Sequence, residues 1–149
     1  MDQQVHERNR VARDRLRAIG SSLSEDELAR VIDPPWTAAA LFAHMAFWDR
    51  FVHARWRHAQ ETGGGMPRPI EDDPLEMVND ASLRQWAAIP PRVAVDECLA
   101  AADAIDRFIE SLDADVVSRA VEEGRERLVD RSLHRGDHLA TIERAFPDR

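Results

Sequence analysis

Between Val95 and Leu112 the apolar side chains Val95, Cys98, Ala102, Ile105, Ile109 and Leu112 recur at alternating steps of three and four residues. That period draws one continuous apolar stripe down a helix, and a stripe of this kind is buried only when other helices pack against it. The rest of the chain supplies them. A first amphipathic segment, Gln3 to about Ile19, carries Val5, Leu16 and Ile19 and is stopped by Gly20. Ser24 followed by Glu27 has the spacing of a capping box and opens a short helix that ends before Pro34-Pro35. Thr37 is placed to cap a long helix reaching about Gln60, with Leu41, Met45, Trp48 and Val52 on its buried face. A shorter helix starts with Pro74 at its first position and aligns Leu75, Val78, Ser82 and Trp86. After an acidic linker, a last long helix is predicted from about Arg125 to Ala145. No stretch alternates as a strand does. The expectation is an all-α chain, one domain over residues 1–149, built as a four-helix bundle with short extra helices.

Charge and composition remove several functions. The chain has 28 acidic and 20 basic residues, a net charge of −8, which lacks the footprint of a nucleic-acid binder. Every basic residue is arginine and tyrosine is absent, so neither a Schiff-base lysine nor a phenolic acid is available. No apolar run approaches the ~20 residues of a membrane span, and no signal peptide is legible, so the expected location is the cytoplasm. One cysteine, Cys98, excludes an intrachain disulfide and sits in the apolar stripe as a small hydrophobe.

Chemistry can sit on the six histidines. His134 and His138 are one turn apart on one face of the last helix, separated by about 40°. Such a pair can chelate a divalent ion, which then needs a third ligand from another helix. On the long helix, His44 falls at the edge of the buried face, about 60° from Leu41, and His53 points the opposite way. His58 shares the His44 face but lies roughly 21 Å further along the axis, too far to serve the same ion. His6 is near the chain start. The angles select His44, His134 and His138. No histidine has a glutamate three residues before or four after it, so a carboxylate-bridged dinuclear site is not expected. Asn79 falls on the inward side of the short helix with Ser82 and Trp86, and these three are candidates for contacting a ligand. Arg135 and Asp137 are assigned to a solvated face, and Gly136 to a close approach of another helix or a ligand. Phe42, Phe47, Phe51 and Trp56 lie partly off the buried stripe, which suggests a homodimer.

The ordered motifs carry a resemblance. Trp36-Thr37-x-x-x-Leu41-x-x-His44-Met45-x-x-Trp48-Asp49 is similar to the second-helix signature of the DinB/YfiT-like superfamily. Leu133-His134-Arg135-Gly136-Asp137-His138-Leu139 resembles its closing helix, and Val78-Asn79-Asp80 its Asn-bearing segment. The resemblance implies a four-helix bundle with crossed connectivity and a divalent metal, zinc or nickel, held by His44, His134 and His138. It further implies a metal-dependent enzyme working on a small-molecule substrate with a low-molecular-weight thiol such as mycothiol, of S-transferase or isomerase type. The alternatives are a metal-dependent hydrolase and a non-catalytic small-molecule-binding or stress-response bundle.

Overall fold

A computed structural model describes all residues 1–149. Helix α1 spans Asp2–Ser22 and α2 spans Glu25–Leu28, the latter opened by the complete Ser24/Glu27 capping box. Helix α3 covers Ala38–Glu61, with the Thr37 hydroxyl accepting from Ala40 N at 3.0 Å. Helices α4 (Asp72–Ala87), α5 (Pro91–Glu110), α6 (Ala114–Glu122) and α7 (Ser132–Ala145) complete the set. Around the core the four bundle helices follow the order α1, α5, α3, α7, so α1 and α3, successive among these four, sit diagonally, as do α5 and α7. This is the all-α bundle that the periodicity predicts, with the crossed connectivity that the resemblance implies. No helix is long and apolar enough to cross a membrane.

The stripe on α5 is the centre of that core. Val95, Cys98, Ala102, Ile105 and Ile109 are all essentially inaccessible, and Leu112 lies just past the helix end, half-buried. Burying side chains of this size contributes ~1.5–3 kcal/mol each for the larger ones, which is why the stripe decides the packing.

Several local expectations change. First, the residues flanking Pro34-Pro35 form a minimal antiparallel ribbon, β1 (Val31–Asp33) against β2 (Trp36–Thr37). Strands this short leave no alternating pattern to read. Second, the acidic linker before the last helix is itself largely helical: it is α6, whose Val117 and Ala120 pack with Trp56, Ile105 and Ile109 while its carboxylates face outward. Third, the last helix starts at Ser132 rather than Arg125. The indole of Trp56 donates to Leu128 O at 2.9 Å and the amide of Asn9 donates to Val129 O at 2.8 Å. These carbonyls are thereby taken up by side chains, leaving only a 3-10 turn at Glu126–Leu128. Fourth, Phe42 and Trp56 are fully buried and only Phe47 and Phe51 remain half-exposed, so most of the aromatic surface that suggested a homodimer is interior.

Gly20 does not stop α1, which continues to Ser22. It lies where α1 crosses α5: a Cβ there would come 2.8 Å from Val95 Cγ1, itself buried. Gly20→Ala is therefore expected to destabilise the fold, since overpacking a filled core costs ~1–3 kcal/mol and the gain in helix propensity is only about 1 kcal/mol. Urea unfolding measures the balance; a midpoint equal to or above that of the parent protein would mean Val95 repacks without cost.

Candidate metal centre

Two helices supply the three imidazoles. His44 lies on the second turn of α3, and His134 and His138 stack one turn apart on α7. The Nε2 atom of His44 is 3.0 Å from that of His134 and 3.0 Å from that of His138, and the last two are 3.2 Å apart. Three ring nitrogens thus face one point. In any tautomer each Nε2 is either a donor or an acceptor, so one shared proton joins only two of the three. A cation at the centre satisfies all of them. Ligand nitrogens about 2.0–2.1 Å from a divalent ion lie ~2.9 Å apart in octahedral geometry and ~3.3 Å apart in tetrahedral geometry, and the observed spacings fall between.

The surroundings favour the neutral form of all three imidazoles. Burial, then the neighbouring His138, brings the His44 pKa down to about 3, against a smaller opposing contribution from Asn79. Burial, followed by the Arg131 guanidinium, puts His134 well below its ordinary value. Burial lowers His138 as well, partly offset by Asp137 and Asp33. The His44 ring is fixed by tryptophans: Trp36 and Trp86 each lie edge-on at 5.3 Å between centroids, and Trp48 at 6.4 Å. In one respect the cluster departs from the usual metal centre. Nδ1 of His44 and of His134 are buried without a hydrogen-bond partner, where ligating histidines ordinarily donate to a carboxylate or carbonyl.

What sets the α3–α7 register was not legible as such. Arg135, between the two α7 histidines, is fully buried instead of solvated. It bridges two inaccessible carboxylates, donating to Asp49 Oδ2 at 3.0 Å and, in a fork, to Asp106 Oδ1 and Oδ2 at 2.8 and 2.9 Å. Arg131 adds a 2.8 Å bond to Asp49 Oδ1, and Arg13 a 3.0 Å bond to Asp106 Oδ2. Burial opposes the Arg135 charge, yet the Asp49 and Asp106 carboxylates outweigh it and raise its pKa above the ordinary value. This network ties α7 to α3 and α5 beside the histidines. Asp137 is exposed, as expected, and a Cβ on Gly136 would meet nothing within 4 Å, so no other helix approaches closely there. Cys98 is buried, and burial, then the Asp49 carboxylate, pushes its thiol pKa far up, which leaves it inert.

His44, His134 and His138 open onto a cavity of about 670 Å³. Asn79 lines it, its Oδ1 accepting from the Trp48 indole at 2.7 Å. Trp86 instead packs behind His44, and neither it nor half-buried Ser82 lines the cavity. His53 is half-buried against Phe108, His58 is exposed and His6 is half-buried, so none of these joins the cluster. Trp36, at the end of the ribbon, contributes both to the His44 cage and to the cavity wall, and its place in the second-helix motif was the only signal for it.

A helical bundle with three imidazoles converging at the wall of an open cavity belongs to the class of candidate metal-binding bundles. Within that class the chain belongs to the DinB superfamily, whose family model matches residues 8–144. Comparison with curated proteins and with solved structures found no significant match.

Proposed function

We propose that His44, His134 and His138 hold one divalent ion, zinc or nickel, in a cytoplasmic enzyme that uses a low-molecular-weight thiol such as mycothiol for transfer to, or isomerisation of, a small electrophile. The observation that carries this reading is the 3.0–3.2 Å triangle of Nε2 atoms, built from protein ligands on one side only and facing a cavity. Three protein ligands leave coordination positions for exogenous groups. A divalent ion there supplies positive charge that keeps a sulfur ligand in its thiolate form near neutral pH. The protein's own part is to place and shield. The tryptophan cage fixes His44, the Arg135 network fixes His134 and His138, and the indole of Trp48 orients the Asn79 amide so that its NH₂ remains to donate to a bound ligand.

Cobalt substitution tests this. Titrating mycothiol, bacillithiol, glutathione or cysteine into the cobalt protein is expected to raise an intense sulfur-to-cobalt charge-transfer absorption with at least one of them. Asn79→Ala is expected to weaken that titration about tenfold, the worth of one hydrogen bond to a polar ligand, while metal content stays the same. Absence of the band with every thiol at millimolar concentration would remove the thiol reading and leave the metal site standing.

A further inference from the structure

On α3 the cavity is lined by Leu41, His44, Trp48, Phe51, Val52 and Arg55, a single face. Arg55 comes eleven residues after His44, which returns it to within about 20° of the same direction and sets it ~16 Å further along the helix axis. The cavity is therefore a trough with the histidines toward one end and Arg55 toward the other. At that second end Arg55 donates to Arg68 O and Arg125 donates to Pro67 O, so two guanidiniums hold consecutive carbonyls of one loop and are brought side by side.

In a chain of net charge −8 the lining is locally reversed: it contains four arginines and two carboxylates, Asp33 and Glu126. Two of the arginines are already answered. Arg131 is paired with buried Asp49, and Arg127 faces Asp137 at 4.0 Å. Arg55 and Arg125 form no ion pair, with Asp33, Glu126 or any other carboxylate, and each spends one of its five N–H donors on a backbone carbonyl. Burial, followed by the nearby charges of Arg125 and Arg131, lowers the Arg55 pKa, as a half-buried cation without a counter-ion requires. Natural structures rarely leave partly buried like charges adjacent and unpaired, because an anion is needed to offset the repulsion and lost hydration.

We propose that Arg55 and Arg125 form a carboxylate-binding subsite, and that the cavity's ligand is an elongated organic anion whose apolar body lies along Trp48, Phe51, Val52, Leu75 and Ile70. The forked donors of guanidinium match a carboxylate, and the apolar wall excludes a bare inorganic anion as the best fit. That the far end of such a ligand is presented to His44, His134 and His138 rests on the metal reading above; the anion subsite itself does not.

Isothermal titration of the zinc-loaded full-length protein with acetate and octanoate tests the subsite. Octanoate is expected to bind saturably and acetate far more weakly, since each methylene transferred from water is worth about fourfold in affinity. Arg55→Gln and Arg125→Gln are each expected to weaken octanoate about tenfold or more, the loss of a charge-assisted hydrogen bond, with zinc content unchanged. Arg17→Gln, on an exposed arginine outside the cavity, is expected to bind as the parent does. Removing zinc with a chelator is expected to leave octanoate binding within about threefold, because the carboxylate is not a metal ligand in this arrangement. Equal binding by both glutamine variants would overturn the proposal, whether the apolar wall alone suffices or zinc takes the carboxylate, as would no binding of octanoate at all. If Arg55→Gln loses its helical circular dichroism, Arg125→Gln and Arg125→Lys carry the same comparison, with the lysine variant expected to retain part of the affinity. A protein that takes up no zinc but shows the arginine-dependent octanoate binding would sink the metal reading and leave this one intact.

Discussion

Asp49→Ala is expected to remove about 3–5 kcal/mol of folding free energy, the cost of leaving a buried charge without its partner. Asp49 is inaccessible and accepts from Arg131 at 2.8 Å and from Arg135 at 3.0 and 3.2 Å. Without it, Arg131 has no carboxylate left and Arg135 keeps only Asp106, which Arg13 also uses. Solvent cannot reach Arg135 to compensate, since that side chain is 0% exposed. For a domain of this length, each kcal/mol moves the melting midpoint by ~2–4 °C, so a fall of roughly 10–15 °C is expected in thermal unfolding of chelator-treated protein. A fall of less than 3 °C would show that the network is not a tie between α3, α5 and α7. Because Arg135 stands between His134 and His138, the same variant is expected to lower zinc affinity, whereas a surface pair such as Arg15–Glu143, with both partners about half exposed, should contribute little to either. Replacing Asp49, Asp106 and Arg135 together by apolar residues of similar volume is expected to cost much less than Asp49→Ala alone, because no buried charge is then stranded.

This network also marks where the sequence stops being readable. The α5 stripe, the Thr37 and Ser24 caps and the His44/His134/His138 convergence all follow from local periodicity, and each appears where the spacing places it. Arg135 defeats the same reasoning. Its neighbours in the chain are charged or ligating, so the residue reads as solvated; the two carboxylates that bury it come from α3 and α5, 86 and 29 residues away. Burial of a charge is a property of its partners, and a one-dimensional pattern does not contain them. The start of α7 escapes for a related reason. Asn9 on α1 uses both ends of its amide, donating to Val129 O and accepting from Ser132 N at 3.0 Å, so a residue some 120 positions upstream sets where that helix begins. Trp86 and Ser82 show the limit at the cavity: sharing a face with Asn79 places a side chain within one helical sector, but which members of the sector line the cavity depends on how α4 leans on α3. The helix α6 was hidden in another way: it is only nine residues long and flanked by Asp113 and Glu123, so its apolar face of Val116, Val117, Ala120 and Val121 is too short to stand out from an acidic linker.

Zinc or nickel added to chelator-stripped protein is expected to raise the melting midpoint by about 10 °C, and His134→Ala is expected to abolish that shift. An ion that binds only the folded state at ~1,000 times its dissociation constant adds about 4 kcal/mol. At ~2–4 °C per kcal/mol this gives the expected shift. The metal-free protein has reason to gain. Its three Nε2 atoms lie within 3.2 Å of one another, where neutral rings can form only one good hydrogen bond among the three, and burial disfavours charging them. Removing His134 takes away one of three ligands and one of the cluster's two orphaned Nδ1 atoms. The variant is therefore expected to lose metal uptake while its metal-free stability changes by less than the metal contributes to the parent. Elemental analysis after gel filtration gives the stoichiometry, expected to be one ion per chain in the parent and none in the variant. Equal thermal shifts in the two proteins would place the ion elsewhere, with His53 and His58 further along α3 as the next ligands to remove, and would take the functional reading of the His44, His134 and His138 cluster with it.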